Sequence, residues 1–169
     1  YKAQRKGLPP ELAAQMPLLK ELLQDLGYRI VTCEGWEADD ILGTFARACE
    51  EKGDTCMIAT GDRDSLQLVS PQTTVRLATT KFGQSAVTVY DEAKIREDYG
   101  VSPKQLIDIK AIQGDTSDNI PGGAGIGEKG AGELIRKFGS LQYIYDNLET
   151  LDIKPGMRAK LEASRDNAF

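Results

Sequence analysis

Seven carboxylate side chains fall into three short acidic segments, and they are the strongest candidates for chemistry in this chain. They are Glu37, Asp39 and Asp40 in the first segment, Asp62 and Asp64 in the second, and Asp115 and Asp118 in the third. Carboxylates a few ångströms apart repel by roughly 1 to 4 kcal/mol per pair, so a crevice shared by all three segments needs cations. All-oxygen ligand sets favour Mg²⁺ or Mn²⁺ over zinc or copper. Two such ions about 4 Å apart can hold a phosphodiester, activate a water molecule and stabilise the leaving oxygen.

The sequence offers few other catalytic groups. It contains no histidine, which excludes Ser-His-Asp and Cys-His catalytic sets and His-ligated zinc within these residues. The three cysteines, Cys33, Cys49 and Cys56, form no C-x-x-C pair, and we expect them to be reduced thiols in a cytosolic core. Acid–base or metal chemistry must therefore use carboxylates, lysine, tyrosine or water.

Each acidic segment also has a simpler structural explanation. Acids in the first turn of a helix favour the helix dipole and cap free N–H groups, which would account for residues 37–40. An Asp-x-Asp sequence in a loop, as at residues 62–64, is often part of a turn. For one segment alone the structural explanation is favoured, but the three segments together give a metal site about equal weight.

Hydrophobic periodicity predicts an α/β part followed by an all-helical part. In the first part, predicted helices cover residues 12–26, 37–52 and 65–69, and predicted strands cover residues 28–33, 55–60, 73–78 and 86–90. This order is typical of a mostly parallel sheet with flanking helices. In the second part, predicted helices cover residues 92–99, 103–113, 128–138, 141–148 and 155–163. We place the boundary between residues 91 and 92, which gives parts 1–91 and 92–169.

The predicted elements position the acidic segments. The first two segments each follow the carboxyl end of a predicted strand, where open α/β sheets place their binding crevices. In the third segment Asp115 and Asp118 are three residues apart, so a helical turn would put both on one face. If the three segments converge, all seven carboxylates share one crevice.

A glycine-rich segment at residues 120–130 separates two predicted helices. Glycines let the backbone approach a ligand closely, and free N–H groups at the start of the next helix favour an anion. Lys129 and Lys137 add positive charge nearby. The segment predicts a hairpin that grips a DNA phosphate, a contact that positions the backbone and carries no sequence code. The alternative, a flexible linker, is weakened by apolar flanking residues such as Ile120 and Ile126.

Three stretches of sequence resemble the acidic motifs of a known family. They read EGWEADD at residues 34–40, TGDRDSLQLV at residues 60–69 and QGDTSDNIPG at residues 113–122. In this order they are similar to the 5′→3′ exonuclease domain of bacterial DNA polymerase I, in the 5′ nuclease and flap endonuclease family. The stretch GIGEK at residues 125–129 resembles the helix-hairpin-helix of that family. The resemblance covers essentially the whole chain and implies a PIN-like 5′-nuclease core, truncated at its N-terminus, followed by an all-helical subdomain.

The resemblance assigns the carboxylates to two ions, Mg²⁺ or Mn²⁺. Glu37, Asp39 and Asp40 would serve the first ion, and the four later aspartates would serve the second, partly through water. The family has further metal-binding aspartates upstream, and none is present here. We therefore expect the site in this chain to be incomplete, so that the fragment alone could be inactive.

The resemblance also implies DNA contacts. Lys2 and Arg5 resemble the base of a helical arch, where a lysine of the family helps to position the scissile phosphate, and Tyr1 would stack on a base. An exposed, solvated tail is the alternative for Lys2 and Arg5. The hairpin would hold the duplex, with a K⁺ ion bound to it, through Gly125, Ile126, Gly127 and Lys129.

The predicted function is hydrolysis of DNA phosphodiesters at 5′ ends and flaps. The expected substrates are 5′ flaps, nicked or gapped duplexes and RNA–DNA primers, in cytoplasmic replication and repair, with a polymerase domain downstream and no membrane contact. The net charge of −5 argues mildly against nucleic acid, although bound metal would reverse the local field. Three alternatives stay open: a non-catalytic DNA-binding module with a degenerate metal site, a structural metal-binding domain, and a stand-alone 5′→3′ exonuclease.

Overall fold

The structure, a computed structural model, describes residues 7–81 and 83–169.

The N-terminal helical region differs from the prediction. The helix predicted at residues 12–26 is split into α1 (Pro10–Ala13) and α2 (Met16–Asp25). Pro17 explains the break, because proline lacks the N–H group that an uninterrupted helix would need and is well suited to the first turn of a new one.

The strand predicted at residues 28–33 is wrong. The backbone there is irregular, and the described part of the chain contains a single three-stranded sheet that does not include it. An extended segment becomes a strand only when a neighbouring strand satisfies its N–H and C=O groups. Residues 28–33 have no such neighbour in the described sheet, so the predicted strand does not form.

The helix that carries the first acidic segment begins and ends at clear sequence signals. It is α3 (Ala38–Lys52), with Glu37 at its N-cap. The Asp40 carboxylate accepts a hydrogen bond from the Glu37 backbone N–H at 2.9 Å, which forms part of a capping box. Gly53 ends the helix with φ 74°, a left-handed conformation that glycine adopts without a steric penalty.

A small mixed sheet follows α3. Its strands are β1 (Cys56–Thr60), β2 (Thr73–Lys81) and β3 (Gln84–Tyr90), in the order β1-β2-β3. The pair β1 and β2 is parallel, and the pair β2 and β3 is antiparallel. The α/β class is confirmed, while the sheet is mixed because a short hairpin joins its last two strands. A 3-10 helix, Arg63–Leu68, connects β1 to β2 and carries the second acidic segment.

The remaining elements are all helical, as predicted. They are α4 (Glu92–Tyr99), α5 (Gln105–Gln113), α6 (Glu128–Phe138), α7 (Leu141–Asp146), α8 (Pro155–Ala163) and α9 (Arg165–Ala168). No helix within residues 7–81 and 83–169 is both long and apolar enough to cross a bilayer.

Two apolar clusters form the core, and they meet at α4 and α5. The first cluster surrounds the sheet and includes Ile95 of α4; the second lies among the later helices. Tyr99 and Leu106 pack against both clusters, and the Arg136 guanidinium donates to the Tyr99 carbonyl at 2.9 Å. Since the clusters share these residues, the packing gives no sharp division, and the boundary at residues 91 and 92 stays a prediction.

Candidate functional site

Two of the acidic segments meet at one lysine. The Lys110 ammonium, on α5, lies 2.9 Å from Oδ1 of Asp64 and 2.7 Å from Oδ2 of Asp115. The two carboxylate oxygens therefore lie no farther apart than the sum of these distances. Asp64 comes from the 3-10 helix after β1, whereas Asp115 follows α5, so the fold joins two distant parts of the chain around one cation.

Lys110 is a site residue that the sequence analysis missed. It lies on a helix with little amphipathic character, in the sequence Leu-Ile-Asp-Ile-Lys-Ala-Ile, and only 38% of its side chain is exposed. A lysine surrounded by isoleucines is costly to hold near a core unless an acid compensates its charge. A lysine among apolar residues on a helix therefore indicates that an acidic side chain pairs with it.

The charges of this cluster reinforce one another. The hydrogen bond from Lys110, together with those from Ser117, holds the pKa of Asp115 far below its usual range. Partial burial tends to lower the pKa of Lys110, but the hydrogen bonds to Asp115 and Asp64 outweigh it and raise the pKa. Only 12% of the Asp115 side chain is exposed, so its charge is poorly screened by water. Asp115 is therefore ionised at all ordinary pH values.

The third acidic segment is a tight loop rather than a helical turn. Asp115 and Ile120 exchange backbone hydrogen bonds of 2.9 and 2.8 Å, which close the loop. Inside it, Oδ1 of Asp115 accepts from the Ser117 N–H at 2.8 Å and from the Ser117 hydroxyl at 2.6 Å. The Asp118 N–H lies 3.4 Å from the same oxygen. Asp115 and Asp118 thus share one loop, and Ser117 fixes the carboxylate rotamer of Asp115.

Two glycines hold this loop against the start of the glycine-rich segment. Gly114 has φ 74° and ψ −177°, a region that glycine alone occupies readily. A Cβ on Gly114 would collide with the backbone nitrogen of Gly122, and a Cβ on Gly122 would collide with that of Gly114. Backbone touches backbone here, so side-chain rearrangement cannot relieve either collision.

The remaining predicted ligands lie apart from this cluster or have local partners. Asp62 accepts from the Asp64 N–H at 2.9 Å and caps the 3-10 helix. Asp40 takes part in the capping box of α3, and Glu37, Asp39 and Asp40 are all exposed. Within the described part of the chain, no group of three acidic or thiol side chains is close enough to hold a metal ion. The assignment of Glu37, Asp39 and Asp40 to a metal site stays a prediction.

The glycine-rich segment is a packed hairpin. The Gly123 N–H donates to the Ile112 carbonyl at 2.6 Å, and the Ile126 N–H donates to the Gly123 carbonyl at 2.8 Å. Ile126 is buried, whereas Gly127, the N-cap of α6, and Lys129 are exposed. The hairpin therefore presents the start of α6 to solvent. The predicted arch residues Tyr1, Lys2 and Arg5 lie outside the described residues.

Comparison with known proteins decides the family. The family model described as "5'-3' exonuclease, N-terminal resolvase-like domain" matches residues 1–100, and the one described as "5'-3' exonuclease, C-terminal SAM fold" matches residues 101–169. The chain belongs to the 5′-3′ exonuclease family. The predicted resemblance is confirmed, as is the predicted α/β part followed by a helical part. The two family models meet after α4, whose Ile95 packs with the first cluster.

Curated proteins share substantial sequence with this chain. DNA polymerase I of Caldicellulosiruptor bescii is 43% identical over 169 residues, covering 100% of this chain and 20% of its own length. DNA polymerase I of Bacillus subtilis is 40% identical, covering 100% of this chain and 19% of its own length. The chain thus spans about a fifth of the curated relatives that it matches.

Solved structures share the fold of this chain. The T5 D15 protein, co-crystallised with metal ions, is 28% identical with a TM-score of 0.77, covering 100% of this chain and 64% of its own. T5 5′-exonuclease with bound zinc is 29% identical with a TM-score of 0.74, covering 99% of this chain and 61% of its own. The catalytic core of Rad2 in complex with DNA is 22% identical with a TM-score of 0.59, covering 96% of this chain and 51% of its own. At this identity the likeness shows a shared fold and nothing more.

Proposed function

We propose that this chain is the 5′ nuclease part of a DNA polymerase I, a divalent-metal-dependent 5′→3′ exonuclease and flap endonuclease. The observation that carries the proposal is the convergence of Asp64 and Asp115 on one cation. Two carboxylates that are distant in sequence, one of them poorly exposed, form a site for positive charge. Sequence identity of 40% and 43% with two DNA polymerase I proteins, over the whole of this chain, supports the same assignment.

The donor set fits hard divalent cations. Every predicted ligand is a carboxylate, and carboxylate oxygens favour Mg²⁺ or Mn²⁺. Asp62, Asp64, Asp115 and Asp118 would hold one of two ions, and Glu37, Asp39 and Asp40 would hold the other. When bound, such ions supply the positive charge that activates water and stabilises a leaving oxygen. Metal-ion complexes of T5 D15 protein and T5 5′-exonuclease support divalent metal in this family.

The residues around Asp115 prepare it for this role. Ser117 holds one carboxylate oxygen through two hydrogen bonds, so the other oxygen faces Lys110 in a fixed direction. Ligands held by a second set of hydrogen bonds bind cations with less loss of side-chain entropy. The Lys110 ammonium keeps Asp64 and Asp115 together, since without a cation their charges repel.

The hairpin would hold the DNA. Free N–H groups at the exposed start of α6 and the Lys129 ammonium suit a backbone phosphate. A variant of the T5 D15 flap endonuclease is known as a pseudo-enzyme-product complex with DNA and metal ions, at 29% identity and a TM-score of 0.73. The proposed substrates are 5′ flaps, nicked or gapped duplexes and RNA–DNA primers, with a K⁺ ion at the hairpin. The proposed setting is cytoplasmic replication and repair, with a polymerase domain downstream.

A 5′-labelled flap DNA tests the proposal. The full-length protein that contains this chain is incubated with it in Mg²⁺ and, separately, in a chelator. Release of the labelled flap only in Mg²⁺ is the expected result. Salt-sensitive binding without cleavage in any divalent metal would instead indicate a non-catalytic DNA-binding module. Neither binding nor cleavage would reject the nuclease assignment altogether.

A further inference from the structure

A lysine from α8 is bonded to the turn of the hairpin. The Lys160 ammonium donates to the Gly125 carbonyl oxygen at 2.8 Å, across 35 residues of sequence. Gly125 has φ 75°, and a Cβ built on it would lie 3.0 Å from Nζ and 3.4 Å from Cε of Lys160. The end of the lysine side chain therefore lies directly against the turn.

The helix that carries Lys160 is anchored in the second apolar cluster. Leu161, the next residue, is fully buried, and its carbonyl accepts from the Tyr145 hydroxyl at 3.3 Å. Met157, one turn earlier, packs against the same cluster, and its Cε would lie 3.7 Å from a Cβ on Gly130. Residues of α8 thus contact the hairpin at Gly125 and near Gly130, and the position of Lys160 is set by the core.

The bond places positive charge close to the start of α6. Gly125 lies two residues before Gly127, so their Cα atoms are at most about 7.6 Å apart. The Lys160 ammonium, bonded to the Gly125 carbonyl, therefore lies within about two residues of the start of α6, where positive charge favours a bound anion. The bond to Gly125 uses one of three ammonium donors, and Lys160 is exposed.

We propose that Lys160 is a further DNA-binding residue, which contacts the backbone phosphate that the hairpin holds. Its bond to Gly125 positions the ammonium and leaves two donors for the phosphate. Lys129 on α6 and Lys160 on α8 would then both supply positive charge to the phosphate bound at the hairpin. This inference rests on the proposed DNA binding by the hairpin and adds to it a residue outside the acidic and glycine-rich motifs.

The salt dependence of DNA binding tests Lys160 directly. Affinity of the full chain for a duplex with a 5′ flap is measured over a range of salt concentrations, in Ca²⁺ or chelator so that no cleavage occurs. Lys160→Met is compared with Lys154→Met, which removes the same charge at the N-cap of the same helix. Loss of one phosphate contact lowers the slope of log affinity against log salt by about 0.9, which corresponds to roughly eight-fold weaker binding at about 0.1 M salt. Lys160→Arg, which keeps the charge, is expected to keep the slope.

Each outcome has a distinct meaning. A lower slope for Lys160→Met alone supports the phosphate contact. Weaker binding with an unchanged slope would overturn it, because Lys160 would then only hold the turn. An unchanged affinity, or an equal fall in slope for Lys154→Met, would overturn it too. Absence of salt-sensitive binding by the wild type would count against the proposed function itself, whatever Lys160 does.

Discussion

The Lys110 ammonium and the Asp115 carboxylate are joined at 2.7 Å, and through this pair α5 reaches the loop that follows it. The same ammonium reaches Asp64 at 2.9 Å. A lysine thus holds two of the predicted metal ligands together in the way that a metal ion would. The lysine ammonium and a metal ion would both offset the repulsion between these two carboxylates.

Replacing Lys110 with methionine is expected to make stability more dependent on divalent metal. Without the ammonium, Asp64 and Asp115 repel, and we expect the free energy of unfolding in chelator to fall by about 1 kcal/mol, since the pair is only partly buried. Mg²⁺ should then raise Tm by more in the variant than in the wild type, because a ligand of the native state stabilises it by mass action.

The control for Lys110 is Arg47→Met, which breaks an ion pair with Glu51 whose side chains are 81% and 65% exposed. That change should alter stability by no more than about 0.5 kcal/mol, with no effect on the Mg²⁺ shift. Thermal unfolding with and without Mg²⁺ measures both variants. An equal Mg²⁺ shift in wild type and Lys110→Met would show that the lysine and the metal do not share a site.

Asp115→Asn should remove cleavage and spare DNA binding. The amide can still accept from Ser117, so the loop keeps its shape, but a neutral oxygen is a poor ligand for a divalent ion. Changes outside a ligand set typically cost 10- to 100-fold, so loss of a ligand should lower turnover by more than about 100-fold. Single-turnover cleavage of flap DNA and a separate binding assay measure the two effects. Asp54→Asn, at an exposed site after α3, is the control, and normal cleavage by Asp115→Asn would reject the assignment.

Lys129→Ala should weaken DNA binding without changing the chemical step. Removal of one phosphate contact is expected to lower the salt slope by about 1. Binding titrations at several salt concentrations measure it, with Lys52→Ala at the end of α3 as the matched loss of charge. The same slope for both variants would mean that Lys129 does not contact phosphate.

Gly114→Ala should destabilise the fold strongly. The new Cβ would collide with the Gly122 backbone in a conformation that alanine rarely adopts, and we expect a loss of about 3 kcal/mol or more. Urea unfolding measures the change. Gly156→Ala, in α8 with open space around the position, should be neutral or stabilise by up to about 1 kcal/mol. If both variants unfold at the same urea concentration, the contact between Gly114 and Gly122 is not rigid.

The Asp98 carboxyl should titrate with a pKa below its ordinary value of 3.8. Its pKa is lowered chiefly by the hydrogen bond from Lys94, at 2.8 Å, and further by one from Tyr90. A lowered folded-state pKa means that this carboxylate stabilises the fold above pH 3.8, and that the contribution is lost as the pH falls towards the folded-state value. Lys94→Met should move the NMR titration midpoint of Asp98 upwards. High salt should reduce the difference in midpoint between the wild type and the variant. An unmoved midpoint at low salt would contradict the ion pair.

Sequence predicted the elements whose ends carry their own signals. The bounds of α4, α6 and α8 match the prediction, because Asp91 caps α4 through its side chain and Pro155 suits the first turn of α8. The segment at residues 28–33 could not be predicted, since a strand depends on a partner elsewhere in the chain. Lys110 was missed for a related reason: a lysine among isoleucines indicates an ion pair, but its partner Asp64 lies 46 residues away, and local patterns do not identify such a partner.

The contact between Gly114 and Gly122 joins the aspartate loop to the start of the glycine-rich segment. Neither glycine leaves room for a side chain, so backbone atoms alone set how closely the aspartate loop approaches the start of the glycine-rich segment. If the hairpin binds a duplex as proposed, the phosphodiester that reaches Asp115 would lie at a set distance along the DNA from the hairpin contact. In a nuclease built this way, the position of the cut follows from DNA geometry rather than from base sequence.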